Sequence, residues 1–185
     1  MEFDLKKTPR DKLLIQIFKI IQRVPYKITP FDEKEYACKE AVTSNLEQGD
    51  ARHKSKMLYN LLMQTNFEAY KIKTIFDWKN LPIPKEILNI LKNSTTRQPH
   101  DLIEVKLSQY NKSYIDPTWN PELERLGFQV TTEWDGKGST KQVTREPLEY
   151  FEADTFNPED HDIITDKEEY EKFAKALNNW LKESK

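Results

Sequence analysis

The chain has 185 residues, of which 37% are hydrophobic and 32% are charged, and this suits one domain with a substantial core. Its formal net charge is −2 and no run of Lys or Arg exceeds a few residues, so we expect no nucleic-acid partner. No apolar stretch can span a bilayer or resembles a signal peptide, and the lone cysteine, Cys38, excludes an internal disulfide framework, so we expect a cytoplasmic protein with no membrane partner.

Three helices are predicted in the first third of the chain. The first begins at Thr8, whose hydroxyl is expected to cap it ahead of a proline, and it ends at Pro25. The second is predicted to start at Pro30–Asp32, with Cys38 on its apolar stripe. The third starts near Ala51, and its buried face is read from the helical period of its apolar side chains. That face consists of Ser55, Leu58, Leu61 and Leu62.

Alternation of apolar and polar residues predicts strands in the middle of the chain. The first runs from Phe67 to Phe76, and the second runs from His100 to Leu107. A turn at Gln109–Lys112 leads into a return strand over Ser113–Asp116. A further strand is predicted from Phe128 to Trp134, followed by a glycine-containing turn.

Short helices and an acidic arm are expected to join and follow these strands. Pro82 and Pro84 introduce one short helix, and Gly127 ends another. Residues 145–164 are rich in Asp and Glu and are expected to form an ordered but exposed arm. Thr165-Asp166-Lys167-Glu168 is a capping-box pattern that predicts the start of a final helix. The apolar face of this helix is predicted to be Tyr170, Phe173, Ala174, Leu177, Trp180 and Leu181.

The order of these elements predicts an α+β fold, with N-terminal helices packed on an antiparallel sheet and a closing C-terminal helix. We expect one domain over residues 1–185, with a core at about 33–134 and the acidic arm and last helix at 145–185. No cofactor is expected. The histidines and the single cysteine show no metal-ligand spacing, and the acidic stretch lacks an EF-hand calcium loop.

Three short segments carry residues that together suit nucleophilic catalysis. Gly49-Asp50-Ala51 opens the third helix, His100 begins a predicted strand, and Asp116 lies on the strand that returns. A helix N-terminus stabilises a thiolate and an oxyanion, while an imidazole oriented by a carboxylate takes the thiol proton. A cysteine at position 51 would complete this arrangement, but alanine cannot be a nucleophile. A tight hairpin does not place His100 directly opposite Asp116, so the strand pair requires a bulge or stagger.

This pattern resembles the transglutaminase-like superfamily, whose members are relatives of the papain-fold cysteine enzymes. The family segments are Gly-x-Cys at a helix start, then His-x-x-x-Glu-Val, then Asp-Pro-Thr. Here they are Gly49-Asp50-Ala51, His100 with Glu104-Val105, and Asp116-Pro117-Thr118. The resemblance runs from about Glu33 to Trp134. This chain departs from the family at Ala51, at Leu102, where many members have tryptophan, and at Tyr114, near another usual tryptophan.

The resemblance implies a papain-like fold and acyl transfer through a thioester, on a peptide or protein substrate with a carboxamide or amide group. The resemblance covers two activities. One is hydrolysis by a peptidase or amidase, which we favour for a small calcium-free domain. The other is transfer of the acyl group of a protein glutamine side chain to an amine. With Ala51 the chain as given is expected to be inactive. Retention of Gly49, His100 and Asp116 favours an engineered knock-out over a natural pseudoenzyme that binds a peptide or protein. A structural domain with a coincidental His and Asp is the third interpretation.

Several further residues have two interpretations each. Asn45 is either a candidate oxyanion donor or an ordinary helix-end asparagine. Trp119 is expected either to shield the His–Asp hydrogen bond and line the substrate groove, or to belong to the core. His53 is expected to point away from the site, and His161 is expected to be solvated. Cys38 is expected to be inert packing rather than a replacement nucleophile. The oligomeric state is left open.

Overall fold

The computed structural model describes residues 8–29 and 47–184. The predicted helix from Pro30, with Cys38, and the candidate Asn45 therefore lie outside the described residues. None of the described helices is long and apolar enough to cross a membrane. In chain order the elements are helix α1 (Arg10–Gln22), helix α2 (Ala51–Gln64), strand β1 (Ala69–Asp77), helix α3 (Lys85–Leu88), strand β2 (Arg97–Ser108), strand β3 (Asn111–Ile115), strand β4 (Tyr150–Glu152) and helix α4 (Lys167–Glu183). Short 3₁₀ helices lie at Trp78–Asn80, Pro121–Leu126 and Pro158–His161.

The four strands form one antiparallel sheet in the order β3-β2-β1-β4. Together with the helices, this confirms the predicted α+β class. β1, β2 and β3 lie close to where alternation predicted them, although β2 begins three residues before His100. β3 begins at Asn111, inside the predicted turn, and ends one residue before Asp116. Gly127 ends the preceding 3₁₀ helix at φ 92°, a left-handed conformation that glycine adopts without steric cost, as predicted.

The strand predicted from Phe128 to Trp134 is wrong, because this segment makes no strand pairing. Its apolar residues Phe128 and Val130 are buried, which explains the alternating pattern. Thr131 in this segment makes hydrogen bonds that involve side chains instead of a strand ladder. The Thr131 carbonyl accepts from Gln22 Nε2 at 2.9 Å, and the Thr131 hydroxyl accepts from the Lys141 N–H at 2.8 Å.

The acidic arm contains a strand that its composition did not predict. β4 pairs with Ile72–Thr74 of β1 and forms one edge of the sheet. The Thr74 hydroxyl donates to the Glu149 carbonyl at 2.6 Å beside this pairing. His161 is half-buried and stacks on Phe156, with ring centroids 5.0 Å apart, so the expectation that it is solvated is wrong. Most of the remaining arm is exposed, as predicted.

Two apolar clusters hold the helices to the sheet. In the first, α1 and α2 bury their apolar stripes, including Leu58 and Leu62, against Ile103, Val105 and Ile115. Full burial of each such side chain stabilises the fold by roughly 1.5–3 kcal/mol. The second cluster is centred on α4 and fixes the segments that follow β1 and β3. Its members include Trp78, Trp119, Phe128, Val130, Phe173, Ala174, Leu177 and Leu181.

Two helix caps differ from the sequence prediction. The N-cap of α1 is Pro9, with no side-chain hydrogen bond, so the predicted Thr8 cap is wrong. α4 is capped by Asp166, one residue later than predicted, which accepts from the Glu169 N–H at 2.9 Å. The Glu169 carboxylate does not complete a capping box. It accepts from the backbone N–H of Ser94 at 3.0 Å and so ties α4 to the loop before β2.

Candidate active site

His100 and Asp116 form a buried hydrogen-bonded pair. His100 Nε2 lies 2.9 Å from Asp116 Oδ2, and the two residues are only 3% and 5% exposed. The other carboxylate oxygen, Oδ1, accepts from the Thr118 N–H at 3.0 Å. Burial alone would raise the pKa of Asp116, but the charge and hydrogen bond of His100 and the bonds from Thr118 outweigh burial and lower that pKa. Asp116 is therefore ionised at neutral pH.

The pairing of β2 with β3 contains the irregularity that the sequence required. Beside the turn Ser108 pairs with Asn111, but after a register shift Ile103 pairs with Ile115. If the pairing set at the turn had continued, Asp116 would lie opposite Ile103. A β-bulge of this kind inserts one extra residue into one strand and shifts every later pair by one.

This register shift determines the face of the sheet on which Asp116 lies. Continued by one residue, the observed register puts Asp116 opposite Leu102, two residues along β2 from His100. Residues two apart on a strand share a face, as do directly opposite residues, so the His100 and Asp116 side chains point the same way. A slip of one residue would turn the carboxylate to the other face of the sheet.

Ala51 is the first residue of α2 and lines a cleft that His100 also lines. The cleft has a volume of about 100 Å³, and Thr118 and Trp119 border it as well. The sequence-predicted nucleophile position, base and orienting carboxylate are thus brought to one place. Further aromatic side chains in the lining are Tyr26, Phe76, Trp78 and Tyr170.

The orientation of the His100 ring leaves one nitrogen for the cleft. Nε2 is occupied by Asp116, and the Thr118 hydroxyl lies 3.4 Å from the same nitrogen. The Phe76 ring packs edge-on against the imidazole, with centroids 5.7 Å apart, and restricts its rotation. Nδ1 is therefore the ring nitrogen that Asp116 and Thr118 do not contact, in a residue that lines the cleft.

Asp50, which the sequence motif contained but to which we assigned no role, organises the start of α2. As the N-cap it accepts from the Arg52 N–H at 3.0 Å, and it also accepts from the Thr29 N–H at 3.2 Å. Its Oδ1 lies 3.0 Å from His53 Nδ1, and its Oδ2 pairs with the Arg52 guanidinium. Burial would raise the pKa of Asp50, but these bonds from His53 and Arg52 hold it well below the usual range. The signal was an N-cap aspartate followed within three residues by Arg52 and His53, whose side chains can reach back to it.

Removal of the Asp50 side chain is expected to destabilise the start of α2. Asp50→Ala will lower the free energy of unfolding by about 1–2 kcal/mol, because loss of the cap leaves the Arg52 N–H without its acceptor. Asp50→Asn, which keeps an N-cap oxygen, will lose less. Urea unfolding at neutral pH measures both. An alanine variant as stable as the parent chain contradicts this assignment.

Lys54 is a second residue whose role the sequence did not indicate to us. Its side chain is fully buried, and Nζ donates to the carbonyls of Thr118 at 2.8 Å and of Gln22 and Pro117 at 3.2 Å each. Lys54 therefore ties α2 to the two residues that follow Asp116. A lysine on the apolar stripe of an amphipathic helix, three residues after position 51, was the available signal.

The other predicted residues have mixed positions. Trp119 is 3% exposed, borders the cleft, and donates from its indole N–H to the Val143 carbonyl at 3.0 Å, so it combines the core and lining roles. His53 binds Asp50, as described, and its Nε2 lies 3.3 Å from the Thr29 hydroxyl. His53 is buried but is not part of the cleft lining.

No cluster of three or more His, Cys, Asp or Glu residues in the described part of the chain is arranged to hold a metal ion. The described residues at the cleft include the His100–Asp116 pair, the start of α2 and several aromatic side chains. No protein-family model, curated protein or solved structure matches this chain.

Proposed function

We propose that this cleft is the acyl-transfer site of a transglutaminase-like cysteine enzyme, with Ala51 at the position of the nucleophile. The observation that carries the proposal is the buried His100–Asp116 pair, with Nε2 and Oδ2 2.9 Å apart, in a cleft shared with the first residue of α2. In this proposal the fold is a papain-like core, and the chain as given is inactive because a methyl group cannot attack a carbonyl.

In the parent reaction a cysteine at position 51 supplies the nucleophile. His100 Nδ1 takes the thiol proton, and the thiolate forms a bond to the carbonyl carbon of a carboxamide or peptide substrate. The imidazolium then gives its proton to the departing amine as the carbon–nitrogen bond breaks, which leaves a thioester. Asp116 holds the imidazole through Nε2 and stabilises the imidazolium.

The second half of the reaction divides the proposal into two activities. Water that attacks the thioester gives hydrolysis, whereas an amine gives an isopeptide bond, and either restores the thiol. We favour hydrolysis by a peptidase or amidase, because its second substrate is water, which needs no binding surface beyond this small cleft. Protein-glutamine amine transfer is the alternative outcome of the same chemistry.

One observation favours a second candidate function. Ala51 leaves the cleft without a cysteine or serine among the described residues that line it. A natural pseudoenzyme that holds a peptide or protein in this cleft fits the same geometry. The parent enzyme is our first choice because His100 and Asp116 are both buried and a register shift turns them to the same face of the sheet. A cleft that only binds a ligand does not require such a pair.

Introduction of a thiol at position 51 tests the proposal directly. In Ala51→Cys with Cys38→Ser, we expect the thiol to react with iodoacetamide below about pH 7, because His100 and the helix start stabilise the thiolate. Removal of the imidazole by His100→Ala is expected to return the titration toward the ~8.5 of a free thiol. The alkylation rate as a function of pH is the measurement.

Two controls keep this experiment interpretable. Met63→Cys in the Cys38→Ser background places a thiol on the exposed last turn of α2, where it should titrate as a free thiol. Asp116→Asn, which preserves side-chain shape, gives an independent perturbation if His100→Ala unfolds, as judged by circular dichroism. If the thiols at positions 51 and 63 titrate alike, the catalytic proposal fails and the binding module replaces it.

A further inference from the structure

Trp78 carries a buried hydrogen-bond donor without a partner. The residue opens the 3₁₀ helix after β1, is only 3% exposed and lines the cleft described above. Its indole Nε1 has no hydrogen-bond partner in the described part of the chain. A buried donor left unsatisfied costs about 1–3 kcal/mol, so such a group in a cleft lining is a candidate contact for a ligand.

Two other tryptophans show how this fold ordinarily satisfies an indole N–H. Trp119 donates to the Val143 carbonyl at 3.0 Å, and Trp134 donates to the Gly138 carbonyl at 2.7 Å. Trp119 lines the same cleft as Trp78 and is equally buried. The difference between them is therefore the missing acceptor, and not burial or position at the cleft.

The position of Trp78 indicates a contact with the ligand and not stabilisation of the reacting centre. The Phe76 ring contacts both the Trp78 ring, at 4.7 Å between centroids, and the His100 ring, at 5.7 Å. Phe76 thus contacts both rings, whereas Trp78 and His100 make no ring contact with each other among the described residues. A donor for the oxyanion must lie within hydrogen-bond distance of the attacked carbonyl, so Trp78 contacts a part of the ligand beyond the reacting group.

The charges along the cleft are paired with one another. Arg52 pairs with Asp50, and Lys73 Nζ lies 2.8 Å from Asp101 Oδ1. An anionic ligand would have to compete with these carboxylates for the two cations. The indole N–H is a neutral donor on one of the lining residues, and most of the uncharged members of this lining are apolar or aromatic. A neutral acceptor therefore matches the cleft better than a carboxylate or phosphate does.

We infer that the Trp78 indole N–H binds a neutral amide carbonyl of the ligand, at a subsite beside Phe76 that does not contact the reacting group. The inference rests on the proposed function for the identity of the cleft as a substrate site, and it deepens that proposal by assigning a donor for a second carbonyl of the ligand. The bound segment presents a second amide carbonyl besides the one attacked, as a peptide chain does. Trp78 is then a specificity-determining residue.

Nuclear magnetic resonance of the ¹⁵N-labelled parent chain tests this inference, because Ala51 leaves any ligand intact. The probe is N-methylacetamide, with acetate and tetramethylammonium as anionic and acceptor-free comparisons of similar size. The Trp78 indole signal is assigned by its loss in Trp78→Phe. We expect N-methylacetamide to move the Trp78 indole proton downfield in a saturable manner, while the signals of Trp119 and Trp134 stay nearly fixed.

Binding without the indole donor provides the second readout. In a chain that also carries ¹³C-labelled valine methyl groups, the Val143 methyl signals report the probe independently of Trp78, since Val143 also lines the cleft. Trp78→Phe is expected to weaken N-methylacetamide about tenfold, which corresponds to about 1.4 kcal/mol. Unchanged affinity in this variant, a fixed Trp78 signal, or an equal response to acetate overturns the inference. A Trp78 response combined with a failed thiol titration at position 51 supports the inference and removes only the catalytic proposal.

Discussion

Asp116→Ala will lower the free energy of unfolding by about 3–5 kcal/mol, the usual result of removing one partner of a buried charged pair. The loss is large because the imidazole of His100 stays buried without its 2.9 Å partner and the Thr118 N–H loses its acceptor. Asp116→Asn retains the shape and an acceptor oxygen and is expected to lose less. Urea unfolding at neutral pH measures all three chains, and the exposed Asp154 provides Asp154→Ala as a matched control.

The pH dependence of this effect follows from the lowered pKa of Asp116. Between the folded pKa and the unfolded value near ~3.9, the unfolded chain binds a proton that the folded chain does not bind. The stabilisation from the carboxylate is thus complete above the unfolded pKa and is lost as pH falls through the folded pKa. The gap in unfolding free energy between the parent chain and Asp116→Asn should narrow below about pH 4. A gap that stays constant on acidification contradicts the ionised pair.

Lys54→Met will abolish a rise in stability that the parent chain shows between about pH 7 and about pH 10. Burial lowers the pKa of Lys54 to about 7, although the charges of Asp116 and Glu122 act to raise it. In this window the unfolded lysine still binds a proton that the folded lysine has released, so the folded state gains stability as pH increases. Each unit of pKa difference is worth about 1.36 kcal/mol, which gives about 3–5 kcal/mol over the window.

The prediction for Lys54 is tested by comparing the parent chain with Lys54→Met. For each chain, urea titration at several pH values gives the slope of the unfolding free energy against pH. Methionine has nearly the same length and no titratable group, so Lys54→Met isolates the ammonium. The variant is also expected to be the less stable chain at alkaline pH, because the carbonyls of Thr118, Gln22 and Pro117 lose their donor. Equal slopes for the two chains would show that the Lys54 pKa is not lowered by folding.

Local chemistry accounts for the elements that the sequence predicted correctly. α2 and α4 were predicted because an amphipathic helix repeats its apolar side chains every three to four residues. β1, β2 and β3 were predicted because a half-buried strand alternates, and Gly127 was read as a helix end because glycine tolerates a left-handed backbone. The order of Ala51, His100 and Asp116 in suitable local contexts likewise needed no tertiary information.

Long-range contacts account for the errors. Phe128 and Val130 alternate like a strand, yet burial in the second cluster produces the same pattern without any pairing. β4 was missed because its residues carry no clear period and it forms only by adding to the exposed edge of β1. Asp166 caps α4 while Glu169 binds the loop before β2, since that loop offers N–H groups that the sequence pattern did not include.

The sequence by itself determined the class of fold, the main helices and strands, and the three residues of the candidate triad, because each depends on neighbours within a few positions. Only the tertiary structure decided that a register shift turns Asp116 to the face of His100, that Lys54 joins α2 to the segment after Asp116, and that the Trp78 N–H has no acceptor. These features depend on groups from distant parts of the chain. Local periodicity holds no information about such pairs, because these hydrogen bonds form only between groups that the packed interior brings together.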